Sequence, residues 1–178
     1  QTHSGRFCII GYPRFSYLAD ASVTTQKNIA LAVYTADCLP IFLTSSSGSF
    51  IAVIHAGWRG LYHNIIKNTL QDIPKSAKDI MAWIGPSICK SCYEVSAQFK
   101  KDFIKRQPDS SQLFSTSGSK TYFDCRGYAT CQLKQLGIEQ IYQTVDCTYK
   151  SQYLPSCRRS GPNSTTRMLS TIWIADPV

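Results

Sequence analysis

Three apolar runs stand close together in the first third of the chain: IALAVYT (29–35), PIFLT (40–44) and FIAVIH (50–55). Only ADCL separates the first pair, and the turn-forming SSSGS separates the second. Such runs are too short for ordinary helices, and their β-branched and aromatic residues suit a pleated surface. They are continuous and do not alternate, which predicts strands covered on both faces. A chain that opens this way has to provide layers above and below a sheet.

The rest of the chain offers such layers. IMAWIG (80–85), IEQIYQT (138–144) and MLSTIWIA (168–175) read as further strands. Leu61, Ile65, Ile66 and Leu70 share one face of a helix that opens after AGWRG, with Pro74 just beyond its end. Cys92, Val95, Phe99 and Phe103 recur at three and four residues, and this spacing predicts an amphipathic helix over 92–106. The stretch 107–120 reads as a polar surface loop. Asp124 is placed to cap a helix ending at Leu136, with Gly137 just past its C-cap. Strands and helices alternate without a repeat, so the expected fold is α/β (α+β): one domain, with mixed β-sheets flanked by helices.

Composition narrows the function classes. The 178 residues are 43% hydrophobic and 17% charged, a globular balance with enough chain for one sizeable core. No apolar run approaches the ~20 residues of a membrane span, and no secretory leader is visible. The chain opens at Gln1 without a methionine, and its true N-terminus is expected to lie upstream. A net charge of +8 favours anionic partners such as phosphate, but the basic residues are scattered and carry no interleaved aromatics. Neither a nucleic-acid groove nor a membrane partner is expected. Eight cysteines without a leader fit reduced thiols in the cytoplasm. Cys89 and Cys92 in CKSC have CxxC spacing, yet no second CxxC completes a zinc site, so a structural reading is preferred. GxGxxG and GxxxxGK[ST] are absent, which leaves a dinucleotide fold and a P-loop without support.

The unusual stretch is HAGWRG (55–60), directly after an apolar run. A strand-to-helix turn needs a glycine and a cap; it does not need an imidazole, an indole and a guanidinium. The chain holds three histidines, His3, His55 and His63. His55 ends a strand, and Cys38 lies in TADCLP, the tight connection between two strands expected to neighbour that of His55. His3 lies in QTHSGR, and His63 falls on a helix as a solvated or half-buried residue. Imidazole and thiolate suit zinc and copper, and His3, Cys38 and His55 would leave a fourth position for water or substrate. An ion there lowers the pKa of a bound water to roughly 7. The spacing matches no finger pattern, so core residues that happen to be Cys and His are the competing reading. The same atoms also admit a metal-free cysteine hydrolase, with Cys38 as nucleophile, His55 as base and Asp37 or a carbonyl orienting the imidazole.

QTHSGR, TADCLPIFL, AVIHAGWRGL, GPSICKSCYEV and CTYKSQYLPSCRRSGPNSTTRMLSTIWI occur in order and span Gln1 to Trp173. On these stretches the chain resembles the laccase-domain, or polyphenol oxidase-like, family of multifunctional purine nucleoside phosphorylases, which is also linked to peptidoglycan editing. The resemblance implies a single zinc, or copper, held by His3, Cys38 and His55. It implies phosphorolysis of adenosine, inosine and methylthioadenosine, and deamination of adenosine. It also implies a mixed α/β fold similar to the catalytic domain of cytotoxic necrotising toxins, which use a Cys–His pair. The family's N-terminal segment with an Arg-Gly-Gly stretch is missing, so residues 1–178 are expected to form one laccase-domain-like catalytic domain without it. The usual Ser-Tyr-Arg-Arg appears as SCRR, with Cys157 for Tyr, and Gly-Arg-Met appears as TRM, with Thr166 for Gly. Both changes bear on the substrate pocket more than on the metal ligands.

Nucleoside phosphorolysis needs a phosphate held near C1′, negative charge near the ribose and a proton for the leaving purine. Arg59, on the turn that opens a helix, is the first phosphate candidate, through its fork and the helix N-terminus. Arg159 and Arg167 from the basic C-terminal stretch are further substrate-binding candidates, each competing with a plain surface charge. Cys38, His55 and Arg59 are thus the expected catalytic residues. Trp58 packs or stacks on a purine, and packing is preferred. Asp37 orients a ligand imidazole or caps a turn. No HxE motif serves deamination, and Glu94 in CYEV is the nearest motif carboxylate. Three histidines are too few for a true multicopper laccase. The expectation is a cytoplasmic zinc enzyme for purine nucleosides and phosphate, a monomer or small homo-oligomer. A polyphenol oxidase-type copper oxidoreductase and a non-catalytic partner protein are the alternatives.

Overall fold

The three apolar runs divide between two layers. A computed structural model describes residues 1–11, 18–73, 76–161 and 163–176; Pro74 lies outside them. In chain order the elements are β1 (Phe7–Ile9), β2 (Ala21–Thr24), β3 (Leu31–Thr35), β4 (Leu39–Ser45), β5 (Ile51–Ala56), α1 (Trp58–Tyr62) and α2 (Ile65–Leu70). Then come β6 (Ile80–Ile84), β7 (Glu94–Val95), α3 (Ala97–Arg106), β8 (Phe114–Ser117), β9 (Lys120–Phe123) and α4 (Cys125–Gln135). The last are β10 (Gln140–Gln143), α5 (Cys157–Ser160) and β11 (Met168–Ile172). Six strands form the main sheet in the order β1-β2-β5-β4-β6-β10, parallel at both edges and antiparallel between. An antiparallel ribbon of β3 and β11 packs on it, and β7-β9-β8 form a small antiparallel sheet. The fold is mixed α/β, as the alternation of elements predicts. Among the described residues no helix is long and apolar enough to cross a membrane.

Period-two geometry explains both the core and the site. Ala52, Ile54 and Ala56 of β5 join Leu39, Ile41 and Leu43 of β4 in the core that also takes up Leu61, Ile65, Ile66 and Leu133 of the helices. Ile51 and Val53 point the other way and pack with Leu31 and Val33 of the ribbon. Every residue of β5 is therefore buried. Each such Leu, Ile or Val contributes roughly 1.5–3 kcal/mol through removal from water. His55 is in phase with Ile51 and Val53, so it faces the ribbon side at the end of the strand.

Several expectations change in the structure. β3 alternates, with Ala32 and Tyr34 exposed, because the ribbon covers the sheet on one face only. ADCL therefore does not join neighbouring strands; it crosses from ribbon to sheet. The helix expected after AGWRG is two short helices, broken where Asn64 adopts a left-handed φ of 56°. Asparagine tolerates that conformation, and Gln132 donates to Leu61 O (3.0 Å) and Asn64 Oδ1 (3.3 Å) at the break. The helix expected over 92–106 begins only at Ala97, because Ser96 caps it through Phe99 N–H and Glu94–Val95 pair with β9 instead. The expected loop 107–120 holds a 3₁₀ turn over Pro108–Leu113 and the β8–β9 hairpin, turned by Gly118 at φ +57°. Asp124 does cap α4, accepting from Gly127 N–H at 2.8 Å, and Gly137 follows its end at φ +81°.

Candidate metal centre

Three segments meet where the ribbon ends. His55 arrives on β5, Cys38 on the crossing between β3 and β4, and His3 on the N-terminal turn. One ligand atom from each lies within 4.8 Å of the other two. The imidazoles of His3 and His55 stand edge to face, 4.8 Å between centroids. His3 is exposed, Cys38 half-buried and His55 buried, so the group opens on one side to solvent.

Asp20 holds the group together. Its carboxylate is 1% exposed and immediately precedes β2. It accepts from His55 Nδ1 at 2.9 Å, from the backbone N–H of His3 (2.9 Å) and Ser4 (2.7 Å), and from the Ser4 (2.8 Å) and Thr2 (2.9 Å) hydroxyls. Burial pushes this carboxyl up, but the hydrogen bonds from His55, Ser4 and Thr2 outweigh it and hold Asp20 well below the usual carboxylate range. An ionised Asp20 fixes the proton of His55 on Nδ1 and leaves the Nε2 lone pair facing the crevice, the arrangement that metal-binding histidines adopt. Burial lowers the His55 pKa, against the bond to Asp20, so the ring stays neutral.

The backbone is shaped to the same end. His3 (φ 54°) and Asp37 (φ 89°) are left-handed residues other than glycine, which costs about 1–3 kcal/mol each. The Asp20 bonds hold the first. For the second, Asp37 accepts from Thr148 Oγ1 and Arg158 N–H, both at 2.7 Å. Gly57, the glycine of HAGW, leaves room for the group: a Cβ there would stand 3.0 Å from Cys38 Sγ and 3.6 Å from His3 Cδ2 and would press on the thiol. Burial, then the Asp37 carboxylate, pushes the Cys38 thiol up to about 12. Without a cation it is a protonated thiol at neutral pH, and among the described residues no hydrogen bond joins it to an imidazole.

A crevice of about 310 Å³ opens over these residues, lined also by Gln1, Tyr34, Cys157 and Arg167. The expected arginines separate here. Arg167 lines the crevice and donates through Nη1 to Ser164 O (2.6 Å) and Thr166 O (2.8 Å). Arg159 donates to the carbonyls of Thr148, Tyr149, Ser151 and Leu154, so its fork holds that loop. Arg59 is exposed, with its guanidinium 4.7 Å from the Trp58 ring centre and outside the crevice lining, and α1 is five residues long. Trp58 itself packs edge-on to Phe99 at 5.0 Å in the helix-side core. Asp37 serves the Cys38 turn and not an imidazole. Glu94 pairs with Lys120 at 3.1 Å on the small sheet. His63 is exposed at the end of α1. Sequence reasoning passed over Asp20; the one signal for it is a carboxylate set in the apolar stretch YLADASV, which needs partners if buried.

The donor set suits a single thiophilic or borderline ion: two imidazoles and a thiol converge, one imidazole is already oriented, and an open side remains. Comparison with known proteins agrees in family. A sequence model for the family described as multi-copper polyphenol oxidoreductase laccase matches residues 1–175. A purine nucleoside phosphorylase of Rickettsia conorii is 40% identical over 146 residues, 80% of this chain and 61% of that protein. The purine nucleoside phosphorylase YfiH of Shigella flexneri is 35% identical over 167 residues, 93% of this chain and 68% of that protein. The chain thus spans about three fifths to two thirds of these relatives' length. A crystal structure from Neisseria meningitidis superimposes with a TM-score of 0.88 at 32% identity, covering 98% of this chain and 72% of that one.

Proposed function

The chain belongs to the multi-copper polyphenol oxidoreductase laccase family, and from the crevice built in it we propose that it is the catalytic part of a purine nucleoside phosphorylase that uses one bound metal ion. The observation that carries this reading is the convergence of His3, Cys38 and His55, oriented by Asp20, beside Arg167 in one crevice. The names of the Rickettsia and Shigella relatives supply the substrate class.

In the proposed reaction a phosphate oxygen bonds to C1′ as the C1′–N9 bond breaks. The electron pair of the broken bond leaves with the purine, and the proton that the attacking hydrogen phosphate gives up ends on the purine. Arg167 holds the phosphate at the crevice wall by charge-assisted hydrogen bonds. Burial keeps His55 neutral while Asp20 aims it, and by accepting from His3 N–H the same carboxylate fixes the turn that carries the second imidazole. Zinc is the proposed ion, with copper as the alternative; when bound it supplies positive charge that stabilises developing negative charge. Arg59 is proposed as a second phosphate contact from the rim. Adenosine, inosine and methylthioadenosine are the proposed substrates, and deamination of adenosine a second activity. A reducing cytoplasmic setting and a monomer or small homo-oligomer complete the proposal. Eight free cysteines fit that setting. A metal-free cysteine hydrolase is less favoured, since Cys38 has neither an imidazole bond nor an accessible thiolate. A laccase with several copper ions is less favoured because the crevice brings together two imidazoles and one thiol, a donor set for a single ion.

The test is product analysis of adenosine incubated with full-length, metal-replete protein, with and without phosphate, beside Cys38→Ala. Phosphate-dependent adenine that disappears in Cys38→Ala supports phosphorolysis at this site; inosine without added phosphate shows deamination. Arg167→Ala is expected to raise the KM for phosphate, and Arg59→Ala tests the rim contact. No turnover of any purine nucleoside would overturn the reading.

A further inference from the structure

Away from the crevice, the fold assembles three further thiols. Cys89 precedes and Cys92 ends the 3₁₀ turn Lys90–Cys92 that follows β6, and Cys147 lies in the loop after β10. Their sulfur atoms all lie within 4.8 Å of one another. CxxC alone lacked partners in the sequence; the parallel pairing of β6 with β10 brings the third thiol to it. Two neighbouring contacts fix this approach. Ser87 and Cys147 form a parallel bridge, and Thr148 N–H donates to Ser87 O at 3.1 Å. Arg126 donates to the Ser87 hydroxyl (2.9 Å) and to Asp146 O (2.9 Å), which ties both segments to α4.

We propose that Cys89, Cys92 and Cys147 form a second metal site, which binds zinc as three thiolates and staples the loop after β6 to the loop after β10. Tetrahedral zinc with sulfur at about 2.3 Å places sulfurs about 3.8 Å apart, so the cluster closes by roughly 1 Å or less on binding, within reach of rotation about the cysteine side chains. Soft thiolates select such an ion. Binding releases the three thiol protons and leaves a net charge of −1. Cys89 lines an open cleft together with Lys90 and Lys150, whose positive charges offset it. One backbone group already serves a sulfur: Cys89 N–H donates to Cys147 Sγ at 3.3 Å, the kind of bond that stabilises a thiolate. The Ser91 hydroxyl lies 3.3 Å from Cys89 Sγ beside the cleft, and that hydroxyl or a water entering from the cleft supplies the fourth ligand.

The staple has a consequence for the crevice. Ile88 N–H donates to Asp37 O (3.0 Å), and Thr148 Oγ1 donates to the Asp37 carboxylate (2.7 Å). Each is the chain neighbour of a proposed ligand, and Asp37 is the neighbour of Cys38. A second ion therefore fixes the turn that presents Cys38, without touching substrate.

The proposal is independent of the nucleoside reading and is tested by metal content, not turnover. Full-length protein purified under reducing conditions is loaded with zinc, desalted and analysed for bound metal, with circular dichroism as a fold control. Wild type is expected to hold two zinc ions per chain. His3→Ala is expected to retain one, and cobalt substituted into that variant gives intense thiolate-to-metal charge-transfer absorption. Adding Cys147→Ser, or separately Cys89→Ser, should remove that ion and that absorption. Two substitutions at different burial guard against loss of fold in one. Folded His3→Ala protein that binds no zinc, or whose zinc survives both serine substitutions, would overturn the site. So would a Cys89–Cys92 disulfide in the freshly reduced protein, and copper on these sulfurs in zinc-loaded protein would overturn the choice of ion.

Discussion

Replacing Asp20 by asparagine probes the crevice at the residue on which its geometry turns. Shape is conserved and the charge is removed. The lowest-cost orientation keeps the amide oxygen toward His3 N–H and His55 Nδ1 and places the amide nitrogen where Oδ2 stood. There Oδ2 accepts from Ser4 N–H at 2.7 Å, from Ser4 Oγ at 2.8 Å and from Thr2 Oγ1 at 2.9 Å. The two hydroxyls can turn and accept from the amide; Ser4 N–H cannot and loses its partner. One orphaned donor costs about 1–3 kcal/mol, and the bonds that persist lose charge assistance, which roughly doubles their strength in wild type. His55 keeps a neutral acceptor, so its tautomer is held less firmly. Loss of such a partner lowers metal affinity about 10–100-fold, or about 1.4–2.7 kcal/mol. The assay is zinc competition with a coloured chelator, beside thermal melting of the metal-free protein. Ser4→Ala serves as the comparison, since it removes one hydroxyl donor and leaves His55 Nδ1 paired; it should cost about 0.5–1.5 kcal/mol in stability and little affinity. An Asp20→Asn protein that binds zinc within about twofold of wild type would refute the argument that Asp20 orients the ligands.

Other substitutions separate the metal site, the loop beside it and the aromatic core. Gly57→Ala drives a methyl group against Cys38 Sγ; since φ is −74°, the backbone accepts alanine, and zinc affinity should fall while the melting temperature shifts little. Arg159→Lys keeps the charge but cannot span the carbonyls of Thr148, Tyr149, Ser151 and Leu154; limited proteolysis should then cut within 148–154 faster than in wild type. Phe103→Ala empties the centre of the aromatic cluster formed with Phe114, Phe123 and Tyr128, and denaturant unfolding should report a loss of about 3–5 kcal/mol with zinc affinity of the folded protein unchanged.

The candidate ligands stood out in the sequence because a chain with three histidines spends one at a strand end. Spacing alone left them open to a plain core reading, the family resemblance singled out His3, Cys38 and His55, and the structure brings their donor atoms together. The central strands β4 and β5 were legible because burial on both faces writes itself as a continuous apolar run. Asp20 was not, since nothing local distinguishes it from a surface aspartate; its partners come from positions 2–4 and 55. Arg159 and Arg167 look alike in sequence and differ only in what surrounds them, backbone carbonyls for one and a crevice for the other. Cys147 likewise carries no mark of its own until β6 and β10 pair. Short strands such as β1 and the β8–β9 hairpin escaped because three or four residues give no period to read. The two-helix break at Asn64 escaped because the apolar spacing of Leu61, Ile65, Ile66 and Leu70 survives it.

Anomalous diffraction at the zinc edge, from crystals of the zinc-loaded full-length protein, tests most directly whether His3, Cys38 and His55 are one metal centre. A single strong peak is expected in this crevice, at about 2.0–2.1 Å from one nitrogen of each histidine and about 2.3 Å from Cys38 Sγ, with His55 Nδ1 still bonded to Asp20. Zinc-replete, catalytically active protein with no peak bounded by these three side chains would contradict it.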